Sequence, residues 1–114
     1  MQRGRTMGYL ALDRYRNIEA DLSAFCDRWK VAELALLDLP EQERSDPDAE
    51  LDVLVTMRPD SEWTLFDIVH MQDELSGIFG RSAHFYSWTG VLEHGDQPRI
   101  RLFREATHPL YVAG

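Results

Sequence analysis

The sequence predicts an α+β domain with α/β-like layering, in which a small mixed β-sheet is flanked by helices. Segments with apolar residues at helical spacing alternate with short, nearly continuous apolar or aromatic runs. Pro- and Gly-containing turns separate them. The chain has 114 residues and is 44% hydrophobic, which is enough for one core in one domain. The predicted order is α-β-loop-β-α-β-α. Residues 1–9 are expected to be a disordered lead-in, with Met7 as an alternative start, and residues 10–114 to form the domain.

Residues 10–29 are expected to be helical, in one piece or two. Leu22, Phe25, Cys26 and Trp29 fall at i, i+3, i+4 and i+7 and make one apolar stripe. Residues 31–37 carry a single charge, Glu33, in an otherwise apolar run. Its composition would also suit a helix. Its short length and the following Pro40 favour a strand buried on both faces. The next connection, residues 38–49, is broken by Pro40 and Pro47. It holds Asp38, Glu41, Glu43, Asp46 and Asp48 against the lone base Arg44.

Residues 51–57 are the second predicted strand. Period-2 alternation puts Glu50 and Asp52 on one face and Leu51, Val53 and Val55 on the other. Two carboxylates at a strand entrance are either solvated or placed to hold a cation. Arg58-Pro59-Asp60-Ser61 reads as a turn. Residues 64–79 form an amphipathic helix, with Thr64 and Asp67 as a capping box and Gly80 beyond the C-terminus. Its expected inner face is Leu65, Ile68, Val69, Gln72, Leu75 and Phe79, with Ile78 beside it. Residues 83–88 are an aromatic-rich strand, and residues 90–98 a loop. Residues 99–107 form a short helix ended by Pro109, and residues 110–112 an edge strand.

The bulk composition excludes several functions. The net charge of −8 disfavours direct nucleic-acid binding, since phosphate backbones are held by Lys and Arg. A basic partner protein suits this charge better. No apolar run reaches the ~18 residues of a membrane span, and no signal peptide is visible, so a cytoplasmic protein is expected. The lone cysteine, Cys26, reads as a buried core residue. His70 reads as a surface ion-pair member, and His94 has no metal-ligand spacing around it. Trp63, Trp88 and Phe85 read as core or interface aromatics.

Several segments in this order resemble a minimal nucleotidyltransferase domain of the DNA polymerase β-type superfamily. The resemblance runs from Leu22 to Val112. It is carried by Phe25-Cys26-Asp27-Arg28-Trp29-Lys30, Glu33-Leu34-Ala35-Leu36 and Leu51-Asp52-Val53-Leu54-Val55. It continues through Thr64-Leu65-Phe66-Asp67-Ile68-Val69 and Glu74-Leu75-Ser76-Gly77-Ile78-Phe79-Gly80-Arg81. The family pattern is Gly-Ser, ten residues, then Asp-x-Asp, with a third Asp on a later strand. The Gly and Ser cradle a triphosphate, and the three carboxylates hold Mg²⁺.

This chain keeps the spacing and changes the donors. Asp38 stands for the Gly and Leu39 for the Ser, so these are the positions of a lost phosphate cradle. Glu50 replaces the first Asp, Asp52 matches the second, and His84 takes the place of the third. A base often found shortly after Gly-Ser is absent, with Gln42 near that place. The residual metal positions are then Glu50, Asp52 and His84, and the remnant catalytic pair is Glu50 and Asp52. A like charge at Asp38 repels phosphate oxygens, and His84 suits Zn²⁺ better than Mg²⁺.

The resemblance implies a degenerate domain that needs no cofactor and acts as an antitoxin-like or regulatory partner of a HEPN-type helical protein. One alternative is an active enzyme that uses Mg²⁺ and ATP to adenylylate a partner through Glu50 and Asp52. The other is a structural subunit that forms a homo-oligomer. Arg101 and His108 have a spacing similar to the HEPN ribonuclease motif. Leu110 stands where that motif has Tyr, and the spacing is read as chance.

Overall fold

The computed structural model describes residues 16–44 and 50–113. The expected lead-in, the first six residues of the expected first helix and residues 45–49 of the acidic connection lie outside the described residues. The observed elements are α1 (Glu19–Trp29), β1 (Val31–Leu37), β2 (Leu51–Met57), α2 (Leu65–Phe79), β3 (Ala83–Ser87), α3 (Trp88–His94), α4 (Gln97–Glu105) and β4 (Thr107–Val112). Short 3₁₀ turns at Arg16–Ile18 and Glu41–Glu43 precede α1 and follow β1.

The strand order is β3-β2-β1-β4. β1 is antiparallel to both β2 and β4. β3 runs parallel to β2, and α2 supplies the crossover that a parallel pair requires. The predicted mixed sheet covered by helices is therefore present. Its two faces carry separate cores. On one face Leu22, Phe25 and Cys26 of α1 and Met71 and Leu75 of α2 pack on Leu34, Leu36, Val53, Val55 and Phe85. On the other, Val91 of α3 and Ile100, Phe103 and Ala106 around α4 pack on Leu37, Leu39 and Leu54.

The stripe of α1 is the one its spacing predicts, and Cys26 is buried within it. Burial, with Asp27 adding to it, pushes the Cys26 thiol up to about 12, because a thiolate there would lose its hydration. α1 stops at Lys30, a non-glycine residue in the left-handed region with φ 58°. The Lys30 carbonyl accepts the Arg58 amide at 2.9 Å, which ties the helix end to the exit of β2.

α2 starts with the predicted capping box. Thr64 Oγ1 accepts the Asp67 amide at 3.1 Å, and Asp67 Oδ2 accepts the Thr64 amide at 2.8 Å. Gly80, with φ +75°, closes the helix in a conformation that L side chains resist. Its inner face differs from the expected one. Met71 and Leu75 are the fully buried positions, whereas Leu65 and Val69 are exposed. The two polar residues on the inner side have a definite task. Ser76 Oγ accepts the Ala83 amide at 3.0 Å, and Gln72 Oε1 accepts the Phe85 amide at 3.2 Å. These bonds satisfy amides on the outer side of β3, an edge strand.

Two further boundaries are corrected. Residues 90–98, expected as a loop, contain the rest of α3 and the start of α4. Ser87 Oγ caps α3 by accepting the Gly90 amide, and Asp96 Oδ1 caps α4 by accepting the Arg99 amide, each at 2.9 Å. Gly95 lets the two helices meet closely, since a Cβ there would lie 2.7 Å from the Val91 carbonyl oxygen. The last strand begins at Thr107 and runs through Pro109. Pro is tolerated there because β4 is at the sheet edge.

Candidate functional site

The five residues singled out from the sequence gather at one end of the sheet. Asp38 and Leu39 follow β1, Glu50 precedes β2, and Asp52 and His84 are second in β2 and β3. The strand registers bring these ends together. Leu36 lies opposite Val53 in the antiparallel pair, and Asp52 lies opposite His84 in the parallel one.

Asp52 is 4% exposed and is the buried charged side chain among the described residues. It shares a strand face with Leu54, the face covered by α3 and α4. Its strand-pair neighbour His84 meets the Tyr86 ring edge-on with centroids 4.7 Å apart. Tyr86 in turn meets Phe103 at 5.1 Å. The imidazole thus belongs to an aromatic ladder that runs into the second core. Glu50 lies just outside the strand and is half-buried. Neither carboxylate is without a partner.

The cradle positions serve the fold. Leu39 is 1% exposed and belongs to the second core. Its carbonyl accepts Arg44 Nε at 2.8 Å. The Asp38 amide, which could otherwise face an anion, donates to the Ala106 carbonyl at 2.9 Å. The Asp38 side chain is exposed and lies 3.6 Å from Arg44. A shallow depression of about 460 Å³ opens here, lined by Asp38, Leu39, Pro40, Arg44, Leu102, Glu105 and Ala106. The loop is pinned to α4 by Arg99, which bonds Glu43 at 2.9 Å and lies 5.0 Å above the Phe103 ring.

Sequence reasoning missed the task of Arg44. Its signal was available, since it is the lone base in an acidic connection. Arg101 and His108 lie on α4 and β4, so they do not share a helix. His70 is exposed on α2, and His94 ends α3 at 3.9 Å from Glu93. Trp63 and Trp88 pack against the first and second cores. Trp63 Nε1 also donates to the Trp29 carbonyl at 3.0 Å, and its ring meets Phe85 edge-on at 6.0 Å.

Among the described residues no group of three or more His, Cys, Asp or Glu side chains is arranged to hold a metal ion. Mg²⁺ requires near-octahedral oxygen donors at about 2.0–2.1 Å. A site with an imidazole in the third position does not fit it. Among the described residues, no helix is long and apolar enough to cross a membrane.

No protein-family model matches the chain, and no curated protein matches it. One solved structure is similar, described as a "putative minimal nucleotidyltransferase". The match has a TM-score of 0.60 at 18% identity and covers 84% of this chain and 92% of that one. The chain has the minimal nucleotidyltransferase fold, as its segments and their spacing predict.

Proposed function

We propose that this chain is a catalytically degenerate nucleotidyltransferase-like domain that acts by binding. Its partner is a HEPN-type helical protein, toward which it serves as an antitoxin-like or regulatory subunit. One observation carries the loss of catalysis. The side chain at the Ser position of the cradle, Leu39, is a core residue at 1% exposure, with its carbonyl held by Arg44. A group committed to the core offers no donor to a triphosphate. The exposed Asp38 beside it repels one. The net charge of −8 favours a basic partner through electrostatic attraction during encounter.

Co-expression with the helical protein of the neighbouring reading frame tests this reading. A stable complex is expected by size-exclusion chromatography without ATP or Mg²⁺. Absence of a complex, or a complex that forms only with both, contradicts it.

A second reading is active transfer of an adenylyl group by Glu50 and Asp52. The retention of Asp52 at its family position favours it. Labelled ATP, Mg²⁺ or Mn²⁺ and the helical protein are incubated with the chain. No transfer, or transfer unchanged by Asp52→Ala, removes this reading.

A further inference from the structure

The first turns of α2 carry an apolar surface that the fold does not use. Leu65 is 80% exposed, Phe66 79% and Val69 57%. The same helix meets its packing needs through Met71 and Leu75 on the opposite side. Three neighbouring large apolar side chains left in water on one helical face mark an interaction surface more often than isolated ones do.

The charge around this shelf selects its occupant. Exposed Asp73 lies one turn beyond Val69 on the same face, and exposed Glu62 lies three residues before Leu65. Beside the helix start is a cleft of about 330 Å³. Trp29 and Trp63 line it together with Asp60, Glu62 and Asp67, against Arg28 and Lys30. Arg28 is already paired with Glu74, which leaves Lys30 against the three carboxylates, so the net charge of the cleft is acidic.

A second copy of the chain would set one acidic rim against another and one net charge of −8 against another. An anionic lipid surface would meet the same repulsion. We propose that the exposed face at the start of α2 docks a basic amphipathic helix of a partner protein. The apolar face of that helix covers Leu65, Phe66 and Val69. An Arg or Lys beside it enters the cleft between Trp29, Trp63 and the acidic side chains, where indole faces also favour a cation. This inference rests on the binding function proposed above and assigns the surface that performs it.

The test titrates the full-length ¹⁵N-labelled chain with a synthetic leucine–lysine amphipathic helical peptide. The control is the same peptide with glutamate for each lysine. Amide shifts are expected to centre on residues 60–73, with the lysine peptide binding about tenfold or more tightly than the control. Phe66→Ser should weaken binding by about tenfold or more and leave the thermal midpoint unchanged, because the ring is exposed. Shifts centred elsewhere, equal affinity for the two peptides, or full affinity in Phe66→Ser overturn the proposal. So do a free dimer that Phe66→Ser dissociates, Phe66-dependent binding to anionic vesicles, and nuclear Overhauser contacts between Phe66 and residues 1–15. With the HEPN-type protein, a complex that survives Phe66→Ser at full affinity overturns this surface alone. No complex with the unaltered chain overturns the proposed function, and the peptide titration still decides the surface.

Discussion

Replacing Leu39 by alanine tests whether this position belongs to the second core. Leu39 is 1% exposed and packs with Leu37, Leu54, Val91, Ile100, Phe103 and Ala106. Truncating a buried leucine to alanine costs about 2–5 kcal/mol, the spread being set by how well the site collapses. Here the residue borders an open depression of about 460 Å³, so neighbours and water can fill part of the space. The expected cost is therefore near the lower end, about 2–3 kcal/mol. With a urea slope of ~1.5 kcal/mol/M, the midpoint should fall by roughly 1.3–2 M. The adjacent Asp38 is the control. Its exposed side chain lies 3.6 Å from Arg44, and exposed ion pairs contribute little. Asp38→Ala should change stability by less than about 0.5 kcal/mol. Urea unfolding of both variants, followed by tryptophan fluorescence and circular dichroism, gives the comparison. A Leu39→Ala cost below about 1 kcal/mol refutes the core role, as does an equal cost for Asp38→Ala.

Lys30→Gly should stabilise the chain by about 0.5–1 kcal/mol. It relieves a left-handed backbone penalty of about 1–2 kcal/mol, less the added freedom of glycine in the unfolded state; a lower urea midpoint contradicts the strain at φ 58°. Thr64→Ala removes the reciprocal cap of α2 and should cost about 1 kcal/mol by the same assay. Cys26 gives the chain an alkaline weakness. Its folded value of about 12 lies above the ordinary thiol value of 9.0. The neutral thiol therefore contributes its full stability below pH 9 and loses it as pH rises through that interval. The loss should approach about 1.4 kcal/mol per pH unit for the one proton. Cys26→Ala should show a correspondingly flatter decline in urea stability between pH 9 and 11, and equal slopes in the two proteins contradict this assignment.

Local chemistry made much of the fold legible. The strands after α1 and after the acidic connection were readable as short apolar runs bounded by breakers. The ends of α2 were readable from Thr64, Asp67 and Gly80. The helix pair after β3 was less so: Gly90, Gly95 and Pro98 have the composition of a loop, and the caps Ser87 and Asp96 that start the two helices show only in the structure. The inner face of α2 was misassigned for a related reason. Leu65 and Val69 match the apolar period, but Met71 and Leu75 make the helix's core contacts and leave them in water. Periodicity identifies an apolar residue without saying whether a second surface is there to cover it. The same limit applied to Glu50 and Asp52. Alternation put them on one face, while only tertiary packing could separate a half-buried Glu50 before the strand from an Asp52 that is 4% exposed under α3 and α4.

The sheet end where this fold would gather its catalytic groups is held by contacts internal to the chain. The amide of Asp38 is given to Ala106, the carbonyl of Leu39 to Arg44, and the acidic turn to Arg99 through Glu43. An anion approaching this sheet end would compete with these bonds. A hydroxyl placed at position 39 would lie in the second core, and the neighbouring Asp38 amide would remain committed to Ala106. The apolar start of α2 has the opposite character, since its three exposed side chains are not required by the first core. A surface that costs the fold nothing to change, and yet stays apolar within an acidic rim, is better placed to bear a binding function than the sheet end is to bear a catalytic one.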